Sequence, residues 1–341
     1  MPDNPEMPET QAQPTSGPPR PPLKIGSVEI PAGHKEVVNL PVARLFTGGP
    51  LSLSVMALHG RRPGPCLWLD AAIHGDELNG LRIIKDVLLR LDPEHLCGSV
   101  LAVPVVNVFG LVNRSRYLPD RRDLNRSFPG SRRGSLASRL ARLFVEEVVK
   151  RCDVGLDLHT AGSRRTNLPH VRTDLSDPEC RRLADAFGAP LIYAAKPIRG
   201  SLRAVAKDFG ARLLVYEAGE PQRFDRFAID AGVNGVLRVL AALDMWESAE
   251  VPPPQPSKLG TSAKWMRASR SGVFVPDVEL GDTVEKGDVL GTLDSPIPTR
   301  AHRVKAPFDG LVMGLTVNPL VHQGDALVHL VDLSDNLDSS P

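Results

Sequence analysis

The stretch Leu69-Asp70-Ala71-Ala72-Ile73-His74-Gly75-Asp76-Glu77-Leu78-Asn79-Gly80 carries the decisive signal in this chain of 341 residues. A nearly continuous apolar run from Cys66 to Ile73 reads as a strand covered on both faces. It stops at a histidine, and a glutamate follows three residues later. Residues 77–91 then show helical spacing, with Leu78, Leu81, Ile84, Val87, Leu88 and Leu91 on one side. A buried strand handing over to a helix is the unit of an α/β sheet. The His-x-x-Glu spacing itself admits two readings. An imidazole and a carboxylate can converge on one Zn²⁺, and two His plus one Glu form a catalytic set that leaves a position open for water. Alternatively, His74 merely ends the strand and Asp76 caps a helix beginning near Glu77.

The same alternation continues outward. Short β-runs between Val28 and Leu58 predict an antiparallel entry to the sheet, followed later by strand 100–106. Helix 135–150, strand 153–158, helix 177–187, strand 191–194, helix 201–209, strand 213–216 and a long helix near 224–246 complete the pattern. The expected fold is therefore α/β, a mixed and mostly parallel sheet flanked by helices. Such sheets place ligands beyond the carboxyl ends of their strands. His74 belongs there, and so do His159, ending Asp157-Leu158-His159, and Glu217, ending Val215-Tyr216-Glu217. Asp157 either orients a ligand imidazole or sits on the polar face of its strand. His170 either lines the pocket or fills an ordinary loop position.

Between Val106 and Gly134 lies a connection too long to be idle in a compact domain, and seven of its residues from 114 to 133 are arginines. Guanidinium groups grip carboxylates in two-point geometry and can stabilise a developing oxyanion. Arg114, Arg121, Arg122, Arg132 and Arg133 read as a solvated basic surface.

The ordered set His74-x-x-Glu77, Arg116, Asp123-Leu124-Asn125-Arg126-x-Phe128-Pro129-Gly130, Asp157-Leu158-His159 and Glu217-x-Gly219 resembles the succinylglutamate desuccinylase/aspartoacylase family, a branch of the zinc carboxypeptidase fold. The resemblance spans about residues 35–245. It implies one Zn²⁺ per chain held by His74, Glu77 and His159, with Glu217 as base and then acid. It also implies that Arg116 faces the scissile carbonyl oxygen, that Asn125 and Arg126 grip the substrate's free carboxylate, and that Asp123 supports the loop. Amide hydrolysis at neutral pH needs these roles: a strong nucleophile, a place for negative charge and a proton for the leaving amine. The expected activity is zinc-dependent removal of an acyl group from an N-acyl amino acid or a related carboxylate-bearing amine. The alternatives are a metallocarboxypeptidase cutting a C-terminal residue from a small peptide, and a metal-binding or inactive regulatory protein.

Composition bounds the rest. With 42% apolar and 24% charged residues and a net charge of +1, the chain reads as an ordinary soluble protein, with no global electrostatic case for nucleic acid or an anionic membrane as partner. No membrane-spanning apolar window or leader pattern is visible, so the expected compartment is cytoplasmic. The four cysteines are far apart and read as reduced thiols.

Residues 1–22, rich in proline, read as a disordered arm ahead of a catalytic domain over 23–250. The Pro-rich stretch 251–260 reads as a linker, and 261–335 as a small C-terminal all-β barrel or sandwich resembling a biotinyl/lipoyl domain. A swinging-arm carrier needs a lysine at the tip of its central hairpin. None occurs between Leu293 and Val304, and Lys305 falls on a strand instead, so the expected role is to wall the site or to build a homo-oligomer interface.

Overall fold

The computed structural model describes residues 20–247, 251–295, 297 and 301–333. The first nineteen residues of the expected disordered arm and the end of the C-terminal segment lie outside this range. A short hairpin, β1 (Leu23–Ile25) and β2 (Val28–Ile30), precedes the long antiparallel pair β3 (His34–Arg44) and β4 (Pro50–His59). Next come β5 (Arg62–Ala71), α1 (Asn79–Leu88), β6 (Cys97–Val103), α2 (Val108–Asn113), α3 (Leu136–Glu147), β7 (Val154–His159) and β8 (Arg165–Arg172). Then α4 (Pro178–Phe187), β9 (Leu191–Tyr193), α5 (Leu202–Ala206), β10 (Arg212–Gly219) and α6 (Arg226–Ala242) complete the α/β part.

The sheet runs β9-β8-β10-β7-β5-β6-β4-β3 through this part. Its centre, β6-β5-β7-β10, is parallel, while β8, β4 and their neighbours make it mixed. Two cores explain why the central strands are apolar on both faces. Ile83, Ile84 and Val87 of α1, Phe187 of α4 and Val236 of α6 bury one face. Leu140 and Phe144 of α3 and Leu202 of α5 bury the other, around Trp68 and Val215.

Two local expectations change. Helix α1 begins at Asn79, and Leu78 occupies its cap position without a side-chain hydrogen bond, so Asp76 caps nothing. Strand β8 fills the connection after His159, where the mixed sequence Arg-Thr-Asn-Leu-Pro-His-Val-Arg gave no clean alternation. The long 107–134 connection is also less irregular than expected. It contains α2, capped by the Asn107 side chain accepting from Gly110 N at 2.8 Å, and a 3₁₀ turn over Leu124–Arg126.

Beyond residue 251 the chain forms β11 (Lys258–Arg267), β12 (Gly272–Pro276), β13 (Thr283–Val284), β14 (Val289–Asp294), β15 (His302–Lys305), β16 (Gly310–Thr316), β17 (Leu320–Val321) and β18 (Ala326–Leu333). Four strands, β15-β14-β12-β17, make one sheet of a sandwich. The other, β13-β16-β18-β11, continues the main sheet, because β11 runs parallel to β9, with Lys258–Gly260 opposite Leu191–Tyr193. The stretch expected as a linker to residue 260 therefore ends in strand, its last three residues drawn into the ladder by the open edge of β9. β16 pairs with β8 as well as with β18, Gly314 lying opposite both Asn167 and His329. Arg20, at the end of the expected arm, donates to Gly60 O at 3.0 Å and Gly98 O at 2.7 Å and so fixes the chain's entry.

Candidate metal centre and arginine-lined cavity

The chain leaves β5 through Ala72, whose φ of 49° is left-handed, a costly conformation for a residue with a Cβ. That turn brings His74 over the carboxyl ends of β5 and β7. Gly75 follows because a Cβ there would stand 1.8 Å from the Gly110 carbonyl carbon, so only glycine lets α2 lie this close. Glu77 sits in the same turn, and Asn79 ties it to the next strand end by donating to Ala218 O at 3.2 Å and accepting from Asp225 N at 2.9 Å.

His74, Glu77 and His159 are all buried, at 4%, 3% and 5% exposure, too little for a solvated surface cluster. His74 Nδ1 and His159 Nδ1 each lie 2.7 Å from a different oxygen of the Glu77 carboxylate. One donor atom from each of the three residues lies within 4.8 Å of the others. The far nitrogens face carboxylates: His159 Nε2 is 2.8 Å from Asp157 and His74 Nε2 is 3.3 Å from Asp123, without hydrogen-bond alignment in either case. Two imidazoles with their Nδ1 atoms converging and carboxylates behind them suit a small cation of mixed N/O preference. Asp157 thus backs His159 rather than facing solvent.

The electrostatics follow the contacts. Burial alone would raise the Glu77 carboxyl, but the His74 and His159 imidazoles override it and hold it below the usual carboxylate range. Burial pulls the two imidazoles down, yet Glu77 with Asp123 pushes His74 up, and Asp157 with Glu77 pushes His159 further up.

Glu217, opposite His159 in the parallel register of β10 and β7, lines the same cavity of about 450 Å³ as this cluster. Its Oε2 accepts from Asn167 Nδ2 at 3.0 Å and its Oε1 lies 3.4 Å from Arg172 Nη1. Arg116 donates to Asp123 Oδ2 through Nε and Nη2 at 3.1 and 2.9 Å, which leaves its Nη1 3.3 Å from His74 Nδ1. Asp123 also braces the loop by accepting from Asn125 N at 2.8 Å. Asn125 and Arg126 line the same cavity; the Asn125 Oδ1 is taken by Leu202 N at 2.8 Å, while Arg126 is exposed. All seven predicted site residues therefore surround one space. Arg114, Arg121, Arg122, Arg132 and Arg133 are exposed and do not line it.

Sequence reasoning missed three arginines of this cavity, Arg165, Arg172 and Arg203. Arg165 and Arg172 lie at the two ends of β8, whose sequence carries no strand alternation, and Arg203 is on α5. His170 does not line the cavity. It is wholly buried, its Nδ1 donating to Leu168 O at 2.8 Å and its Nε2 accepting from Arg172 Nε at 3.1 Å, so it orients Arg172 instead.

This geometry defines a class first: an α/β protein with a buried two-histidine, one-glutamate centre at its strand ends and arginines opposite. A model of the succinylglutamate desuccinylase/aspartoacylase catalytic domain matches residues 63–243, and the chain belongs to that family. The N-alpha-acetyl-L-2,4-diaminobutyric acid deacetylase of Halomonas elongata is 27% identical over 297 residues, which cover 81% of this chain and 85% of the relative. The crystal structure of the succinylglutamate desuccinylase/aspartoacylase from Rhodobacter sphaeroides superposes with a TM-score of 0.77 at 26% identity, covering 88% of this chain and 96% of the other. The product-bound ectoine utilization protein EutE (DoeB) from Ruegeria pomeroyi shares the fold, with a TM-score of 0.79 at 22% identity over 92% of this chain and 99% of the other. Among the described residues no helix is long and apolar enough to cross a membrane.

Proposed function

We propose that this protein is a zinc-dependent amidohydrolase that removes the acyl group from an N-acyl amino acid or a similar carboxylate-bearing amine. The observation that carries the reading is the pair of His Nδ1 atoms converging on Glu77, with Glu217 lining the same cavity beside them. The sheet with helices on both faces suits the zinc carboxypeptidase-like architecture. His74, Glu77 and His159 would hold the metal, which when bound supplies a water acidic enough to deprotonate near neutral pH and polarises the scissile carbonyl.

The chain's own residues do the rest. Glu217, held by Asn167 and Arg172, accepts the proton of the attacking water and returns it to the leaving nitrogen. Arg116, fixed by two hydrogen bonds to Asp123, presents Nη1 where negative charge develops on the carbonyl oxygen. Arg126 and the Asn125 amide nitrogen hold the free carboxylate of the substrate and orient its amide. The deacetylase activity of the Halomonas elongata relative supports this choice over peptide cleavage.

Metal analysis of the purified protein, followed by a screen of N-acyl amino acids and dipeptides with and without a chelator, tests it. The expected result is about one zinc per chain and chelator-sensitive release of free amino acid from the N-acyl substrates. Cleavage of dipeptides alone would establish the carboxypeptidase instead.

A further inference from the structure

Arg165 has an unusual setting. It lines both the cavity of about 450 Å³ below it and a second cavity of about 240 Å³ between the 163–165 loop and the C-terminal strands. Its guanidinium lies 4.9 Å from the Trp265 ring centroid. Trp265, on β11, stacks in turn on His329 of β18, with centroids 4.3 Å apart and planes within 8°. Burial, with Arg172 nearby, pushes His329 down to about 3 and keeps that imidazole neutral, so the stack adds no competing charge. Among the described residues the Arg165 side chain makes no ion pair and no hydrogen bond; Asp325, which lines the second cavity with it, acts on it only from beyond ion-pair distance, with the Arg267 charge acting the opposite way. A guanidinium held by an aromatic face with its donors unspent is built to meet an anion.

We propose that Arg165, positioned by Trp265 of the C-terminal domain, forms an anion subsite at the junction of the two cavities, separate from the carboxylate grip assigned to Arg126. It recognises a second anionic group of the substrate, a carboxylate in the simplest case. Trp265 is a positioning residue: it touches the arginine and not the ligand. The C-terminal domain thereby takes part in substrate choice without supplying a charged group of its own. The subsite rests on the deacylase reading for its substrate, though not for its ability to bind an anion.

Substrate pairs that differ by one carboxylate test it, such as N-succinyl-L-alanine against N-acetyl-L-alanine and N-acetyl-L-glutamate against N-acetyl-L-glutamine. In at least one pair Arg165→Ala should raise KM for the anionic member roughly tenfold or more, with kcat held and the neutral member within about twofold. Arg165→Lys should recover part of the loss, Trp265→Ala should move the same KM by less, and Trp265→Phe should stay near wild type. Equal losses for both members of every pair, or no loss, would overturn the subsite. Succinate titration followed by calorimetry gives a readout without turnover, and its binding should weaken in Arg165→Ala. If wild-type protein binds succinate through Arg165 but cleaves no N-acyl substrate, the deacylase reading fails and the subsite stands.

Discussion

Two pairs of histidines, three of them buried and His329 half-buried, stand on opposite sides of Glu217, and their neighbours drive them in opposite directions. His74 and His159 face Glu77, Asp123 and Asp157, and those carboxylates push both imidazoles up against the pull of burial. His170 and His329 have burial and then Arg172 against them, and both are pushed down to about 3. Desolvation pulls all four down, so the neighbours decide the outcome. A wall of carboxylates favours positive charge on its imidazoles. A wall of arginine keeps imidazoles neutral, which leaves His170 free to accept from Arg172 and His329 free to stack on Trp265.

The sharpest way to break this comparison is to remove one histidine of the first pair. His74→Ala or His159→Ala should abolish metal binding and lower activity by about 10³-fold or more, because a two-donor remnant no longer encloses an ion. Metal content measured beside turnover decides it, and retained metal with lost activity would remove these residues from the ligand set. Glu217→Gln comes next. It keeps the shape and an oxygen facing Asn167 but cannot take up a proton, so kcat should fall about 10²- to 10⁴-fold with metal content unchanged. Loss of metal in that variant would instead make Glu217 a ligand.

A milder test touches the second pair. His170→Phe removes the acceptor for Arg172 Nε and frees the guanidinium that stands 3.4 Å from Glu217. A drop in kcat of about three- to tenfold, with metal binding and KM near wild type, is the expected result. A rise in KM alone would show that Arg172 serves the substrate rather than Glu217.

The same comparison explains what was legible in the sequence. His74, Glu77, His159 and Glu217 each terminate or follow a strong parallel strand, and a strand end is visible as the point where an apolar run meets a polar residue. The arginine side has no such marker. Arg165, Asn167, His170 and Arg172 lie on β8, which β10, β9 and β16 all pair with, and its partners rather than its own alternation make it a strand. His329 and Trp265 are far from the site in sequence, and only the branching of β16 onto β8 at Gly314 brings them to it. A Cβ at Gly314 would lie 3.0 Å from Asn167 Oδ1 and 3.2 Å from His329 Cβ, a closeness no local pattern announces. Asp76 failed as a cap for a related reason: the turn holding His74 and Glu77 occupies two further residues before the helix can begin.

The smallest effect belongs to His329 and reads its neutrality directly. In the unfolded chain an imidazole takes up a proton as pH falls through about 6.5, whereas folded His329 does so only near 3. The unfolded state therefore binds more protons across that window, and stability drops as pH falls below about 6.5. For this one group the loss between pH 7 and pH 5 is about 2 kcal/mol. His329→Phe can keep the stack on Trp265 but carries no titrating group, so its stability should depend less on pH by about that amount. Denaturant unfolding of both proteins at pH 7 and pH 5 measures the difference, and equal losses in the two would mean that His329 is already protonated in the folded protein, leaving the arginine side without its neutral histidine.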